Sequence, residues 1–256
     1  MKPFLFRSTS SLPPALLEFS CKHLFLPASA LVLLSALLMG GGGDLWLADH
    51  LYQLEGNHWG LRDAWLTSGL IHRGGKWLSV GASLVVLAAL ARAGTDIRWR
   101  QLRRPLLYLL LALGLSTGLV SLLKSLTHMD CPWDLDRYGG TRSFVGLFEA
   151  RPPDMPSAAC FPGGHSSAGY AWVALYFFAW VVRPQLRGRL LATALLAGAI
   201  FGAGQELRGA HFLSHDLWSL GISWLVAATL FLVMFPRLAA GAVPVAVQSP
   251  TAGALA

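Results

Sequence analysis

Charge is scarce in this 256-residue chain, and acidic charge most of all. Only 13% of residues are charged, with 13 Asp and Glu against 20 Lys and Arg. A soluble domain carries about 25%, so an ordinary water-facing surface is excluded for most of the chain. Cysteine is equally sparse, at three residues, which excludes a disulfide-rich secreted scaffold. There is no internal repeat, no long polar linker and no composition break that would mark a second domain. A cleaved leader is not expected. The first apolar run starts late, after Lys22, and ends in Gly40 to Gly43 without a small-x-small cleavage pattern.

Long hydrophobic runs take the place of what is missing. Crossing a bilayer requires about twenty apolar residues, and six stretches qualify: 24–42, 77–94, 105–123, 166–183, 190–207 and 217–235. Ten tryptophans suit a protein with rings at two membrane–water interfaces. The expected fold is an all-α, six-span transmembrane helical bundle. Residues 1–23 form a cytoplasmic N-terminal segment, 24–236 one transmembrane domain and 237–256 a flexible cytoplasmic tail.

The net charge of +7 would favour nucleic acid in a soluble protein. Here the basic residues fall between apolar runs, so topology explains them and no nucleic-acid partner is expected. With the N-terminus inside and the spans alternating, the inside segments hold twelve basic residues against two acidic ones, and the remainder holds eight against eleven. Basic residues are retained in the cytoplasm. Both termini are therefore expected inside, in a multi-pass inner-membrane protein whose segments 43–76, 124–165 and 208–216 face the periplasm. Cys131 and Cys160 share one of those outer loops, where an oxidising compartment permits a disulfide. Cys21 lies inside as a free thiol.

Polar residues concentrate at the outer ends of spans, in three places. Lys124 ends the third span, ahead of Cys131-Pro132. Pro162-Gly163-Gly164-His165 opens the fourth. Its glycines permit close backbone approach, the free N–H groups of a helix start favour an anion such as phosphate, and His165 is placed to protonate a leaving oxygen. Arg208-Gly209-Ala210-His211 and Ser214-His215-Asp216 precede the sixth. Arg208 offers a planar fork for phosphate oxygens. His211 is placed to attack phosphorus, with Asp216 or His215 to fix its tautomer, and Ser214 is a candidate helix cap. In the loop between, Trp133 and Tyr138 are candidate interface anchors or substrate-entrance residues.

Together, these motifs resemble the type-2 phosphatidic acid phosphatase superfamily, over roughly residues 75–235. That family carries Lys-x6-Arg-Pro, then Pro-Ser-Gly-His, then Ser-Arg-x5-His-x3-Asp. This chain offers Lys124-x6-Cys131-Pro132, Pro162-Gly163-Gly164-His165, and Arg208-x2-His211-x3-His215-Asp216. The resemblance implies an integral membrane enzyme without a metal or other cofactor, acting on a lipid phosphate or diphosphate in the bilayer, or passing the phosphoryl group to another lipid. His211 would be the nucleophile, His165 the acid and Asp216 the orienting carboxylate. Lys124, Arg208, Gly163 and Gly164 would hold the phosphoryl oxygens. Cys131 stands where the family has arginine and Gly163 where it has serine. Gln205 occupies the second arginine's place and His215 the aspartate's. Arg208 could substitute for one missing arginine, and Arg142 or Arg137 for the other. Two other classes remain open at this point: a metal-dependent membrane hydrolase using His211 and His215 as an i, i+4 pair, and a transporter without enzymatic activity.

Overall fold

The computed structural model describes residues 13–242 and is helical throughout, with no strand among the described residues. The first helix, α1, runs from Pro14 to Gly40 with two π-helical turns in it. It begins well ahead of the expected start near 24, so residues 14–23 continue the helix; the rest of the expected N-terminal segment, up to residue 12, is outside the described residues. A short helix α2 follows, Gly43–Leu54. Then come α3 (Trp65–Thr95), α4 (Arg103–Thr127), α5 (164–182), α6 (Arg187–Glu206) and α7 (Leu213–Met234). A last turn, α8 (Pro236–Ala239), buries Ala239, and the rest of the expected tail beyond 242 is outside the described residues.

Among the described residues, five helical stretches are long and apolar enough to cross a membrane. They are α1, α3, α4, α6 and α7, together with the turns that adjoin them, and they make this a multi-pass membrane protein. The stretch expected to be the fourth span is present as α5 but is not one of the five. Its first two turns carry His165, Ser166, Ser167 and Gly169, and a 3-10 turn at Ala171–Val173 interrupts it. The polar residues of its first turns thus dilute the apolar run.

α5 sits centrally, against α4, α6 and α7. Its approach to α6 depends on two glycines. A Cβ at Gly169 would lie 2.6 Å from the Gly198 Cα, and one at Gly198 would strike the Tyr170 ring. Small residues permit this crossing, as is usual where lipid provides no hydrophobic drive between helices. Interhelical hydrogen bonds add specificity. Tyr108 donates to the Ala227 carbonyl at 2.9 Å, Ser79 to the Ala168 carbonyl at 2.8 Å, and Trp172 Nε1 to Ser79 at 2.9 Å. The end of the bundle where α5 finishes is closed by rings, with Phe19, Phe177, Trp180 and Phe231 packed in stacked and tilted pairs at centroid distances of 5.2 to 6.4 Å.

The opposite end carries α2 and the long segment between α4 and α5. Three clasps hold that segment down. A disulfide joins Cys131 to Cys160. Asp130, buried, takes Arg142 on one side and Arg151 on the other. Arg137 forks onto Asp49 of α2 at 2.6 and 2.7 Å, beside packed rings of Tyr52, Trp59 and Tyr138. Trp133 N donates to the Gly209 carbonyl at 2.9 Å, which ties the loop to the 207–212 segment linking α6 and α7.

Candidate active site

His211 lies in that 207–212 link, just before α7 begins, and is 5% exposed. Its Nδ1 is 3.0 Å from Asp216 Oδ1 in the first turn of α7. The chain between them is not helical until Leu213, so it is the fifth residue on, not the fourth, that reaches back to the ring. A carboxylate on Nδ1 fixes the proton there and leaves Nε2 with its lone pair free. Burial, then the nearby Lys124, His72 and Arg208, hold the His211 imidazolium down, so its pKa lies well below the ordinary 6.5 and the ring is neutral at neutral pH.

The Pro162-Gly163-Gly164 turn is built around this pair. Gly163 N donates to the His215 carbonyl at 2.9 Å, and the Gly163 carbonyl accepts from Ser219 Oγ at 2.7 Å and Ser166 Oγ at 3.0 Å. A Cβ added at Gly163 would fall 2.5 Å from Asp216 Oδ1, 2.9 Å from His211 Nδ1, and onto Ser166 Oγ. From the next residue α5 starts, and its second residue is His165. Lys124 reaches in from the last turn of α4, its Nζ 3.6 Å from where a Cβ on Gly164 would sit. His72, His211, Lys124 and Arg208 are among the charged or titratable neighbours of His165. Its Nε2 is buried with no hydrogen-bond partner among the described residues. A basic, partly dehydrated corner at a helix N-terminus attracts an oxyanion.

The family model described as PAP2 superfamily matches residues 105–239, over half of the 256. The chain belongs to the PAP2 superfamily. Membership points to a membrane phosphatase or phosphotransferase, a phosphoric-ester hydrolase in general terms. No curated protein and no solved structure matches the chain.

The departures from the PAP2 pattern have structural reasons. The motif serine is replaced by Gly163 because the His211–Asp216 pair occupies the space of its Cβ. Cys131, in place of an arginine, is consumed by the disulfide. His215 stands in the PAP2 aspartate position yet is wholly buried between Phe161 and Phe212, at centroid distances of 5.3 and 5.5 Å, while Asp216 takes Nδ1 of His211. Arg208 is 8% exposed and held by the Arg62 carbonyl (Nε, 2.7 Å), Gln205 Oε1 (Nη1, 3.1 Å) and His72 Nδ1 (Nη1, 3.0 Å). That leaves Nη2 without a partner among the described residues.

The structure does not bring Arg137 or Arg142 to this corner. Their guanidinium groups are engaged by Asp49 and Asp130 at the loop clasps, and each of these arginines is held above its ordinary pKa by that hydrogen bond. Arg142→Ala is therefore expected to lower thermal stability, by about 1–3 kcal/mol for a buried carboxylate losing one of two cationic partners, with KM nearly unchanged. Thermal unfolding and steady-state kinetics on the same preparation check this. A large KM rise without loss of stability would make Arg142 a phosphate ligand after all.

His72 is the residue that sequence reasoning missed. It lies in the first turns of α3, with its ring stacked on His165 at 3.5 Å and 16°. Its Nδ1 accepts from Gln205 Nε2 and Arg208 Nη1, both at 3.0 Å. Its only sequence signal was a histidine at the end of an apolar run, at the same depth as the three motifs.

Proposed function

We propose that the protein hydrolyses a lipid phosphate or diphosphate ester through a phosphohistidine intermediate, at a site facing the periplasm. The observation that carries this reading is the buried His211–Asp216 pair at 3.0 Å, set against the glycine turn that opens α5. His211 Nε2 attacks phosphorus, and the bond from phosphorus to the leaving oxygen breaks with its electron pair going to that oxygen. His165 supplies the proton that neutralises it. Water then attacks the phosphohistidine, His165 takes the water's proton, and the P–N bond returns its electrons to His211. A lipid hydroxyl in place of water makes the same intermediate a phosphotransfer. Lys124 and the free Nη2 of Arg208 offset the charge on the equatorial oxygens, together with the N–H groups at the start of α5. No step calls for a metal ion.

The membrane-embedded scaffold favours a substrate anchored in lipid, with its phosphate at the depth where the helices end. The excess of basic residues in the segments assigned inside supports a periplasmic site. Purified protein in detergent, given polyprenyl diphosphate, phosphatidate, phosphatidylglycerophosphate and lipid A with excess chelator, is expected to release phosphate from at least one. Silence across the whole panel, from protein that is folded and monodisperse, would reject the reading.

A further inference from the structure

The stacked imidazoles of His72 and His165 raise a question of protonation. Two imidazolium rings 3.5 Å apart would repel strongly in a partly dehydrated corner. Only one of them can carry the extra proton. The hydrogen bonds decide which. An arginine can only donate, so Arg208 Nη1 at 3.0 Å requires a lone pair on His72 Nδ1. Gln205 is oriented consistently: its Oε1 accepts from the same Nη1 at 3.1 Å and its Nε2 faces His72 Nδ1 at 3.0 Å. With Nδ1 committed as an acceptor, His72 is confined to the neutral Nε2–H tautomer. The extra proton of the stacked pair then belongs on His165, whose own Nε2 is buried and unpartnered.

Resting on the assignment of His165 as proton donor, we propose that His72 is a positioning residue that makes His165 the acid: its ring is the plate on which the His165 imidazole lies, and its Nδ1 is the post that aims the Arg208 guanidinium. One side chain thereby joins the proton donor to the phosphate clamp. Gln205 sits at the PAP2 position of an arginine, six before His211, and works here through Arg208 and His72. The charged groups facing the stacked pair are Lys124 from α4, Arg73 and Lys76 from α3, and Arg208 with titratable His211 from the 207–212 link. Asp216 of α7 is the carboxylate of this corner and is taken by His211 Nδ1 at 3.0 Å; the other charged groups named are cations. They oppose a proton on His165 until a phosphate arrives to offset them, so the acid charges with substrate bound.

The two roles separate by substitution. His72→Asn keeps an acceptor near the Nδ1 position and removes the plate. His72→Phe keeps the plate and removes the acceptor. For a lipid monophosphate, whose alkoxide leaving group needs a proton, His72→Asn should lower kcat/KM about 10- to 100-fold, since kcat/KM reports the step in which that group departs. For p-nitrophenyl phosphate, whose leaving group departs without one, its kcat/KM should stay near parental, because the later attack of water, common to both substrates, does not enter kcat/KM. His72→Phe should lower kcat/KM about tenfold on both substrates alike, with KM raised, as expected for a misaimed phosphate contact. Equal kcat/KM losses on both substrates in His72→Asn would mean a merely structural role and overturn the proposal, as would parental kinetics in both variants. If His72→Asn fails to fold, the Phe variant decides, and a parental KM there overturns it. His211→Ala on p-nitrophenyl phosphate is the separate control. Activity surviving there rejects the underlying phosphohistidine reading and removes this proposal with it, whereas loss there with unaffected His72 variants rejects this proposal alone.

Discussion

Replacing His211 with alanine is expected to cut phosphate release by on the order of 10⁴-fold or more, the scale seen when a nucleophile that acts with a dedicated base or orienter is removed. His165→Ala should lose about 10²- to 10⁴-fold on an alkyl phosphate, the usual contribution of a positioned acid. Denaturing quench of the parent with labelled substrate should trap an acid-labile, base-stable phosphoprotein, absent from His211→Ala and accumulating where dephosphorylation is slowed. The pH profile carries the sign of the His211 shift. Burial and the surrounding cations lower its pKa well below 6.5. The neutral, nucleophilic ring therefore persists to lower pH than a free histidine allows, and the acid limb of kcat/KM should lie below 6.5. An acid limb at or above 6.5 assigned to His211, or an alanine variant with parental activity, would remove histidine from the nucleophile's role. Because the two histidines stand on separate helical hairpins, both losses together also test that they serve one phosphoryl group.

What could be read in the sequence was whatever chain neighbours dictate. Lys124, the turn before His165, and the segment from Arg208 to Asp216 each sit at a span's end, and spans announce themselves by apolar length alone. Their meeting in one layer follows from the bundle. The choice between His215 and Asp216 could not be read, because it depends on Leu213 being the first helical residue of α7: one more turn of helix would have presented His215 instead. Arg137 and Arg142 resembled free cations in the sequence, since the carboxylates that take them, Asp49 and Asp130, are chosen by how the loop folds over α2. His72 was hidden for the same reason. Its partners stand 93, 133 and 136 positions away, and nothing local to α3 marks it. The fourth span blurred in the opposite sense: the polar residues that place the start of α5 in the candidate site are the ones that weaken its apolar signature.

Restoring the family-like residue at 163 should impair this enzyme, and this is the sharper test of the geometry. A PAP2 motif reads Pro-Ser-Gly-His, so Gly163→Ser looks like a repair that returns a hydroxyl to the phosphate site. In this chain the φ of Gly163 is −67°, which any residue tolerates, so backbone strain does not account for the glycine. Space does. The first atom of any side chain would meet Asp216 Oδ1 at 2.5 Å and His211 Nδ1 at 2.9 Å, and overlap Ser166 Oγ. None of these is the loose end of a flexible chain, because Asp216 and His211 are buried and bonded to each other. Room can be made only by moving the Asp216 carboxylate off His211 or by shifting the turn that carries His165. Either displacement, of an ångström or so, is expected to reduce kcat about 10²-fold or more. Gly163→Ala should do nearly as much damage as Gly163→Ser, since the Cβ and not the hydroxyl is at fault. A serine variant equal to or faster than the parent, with alanine impaired, would show instead that the pocket opens readily and that the missing hydroxyl was the defect.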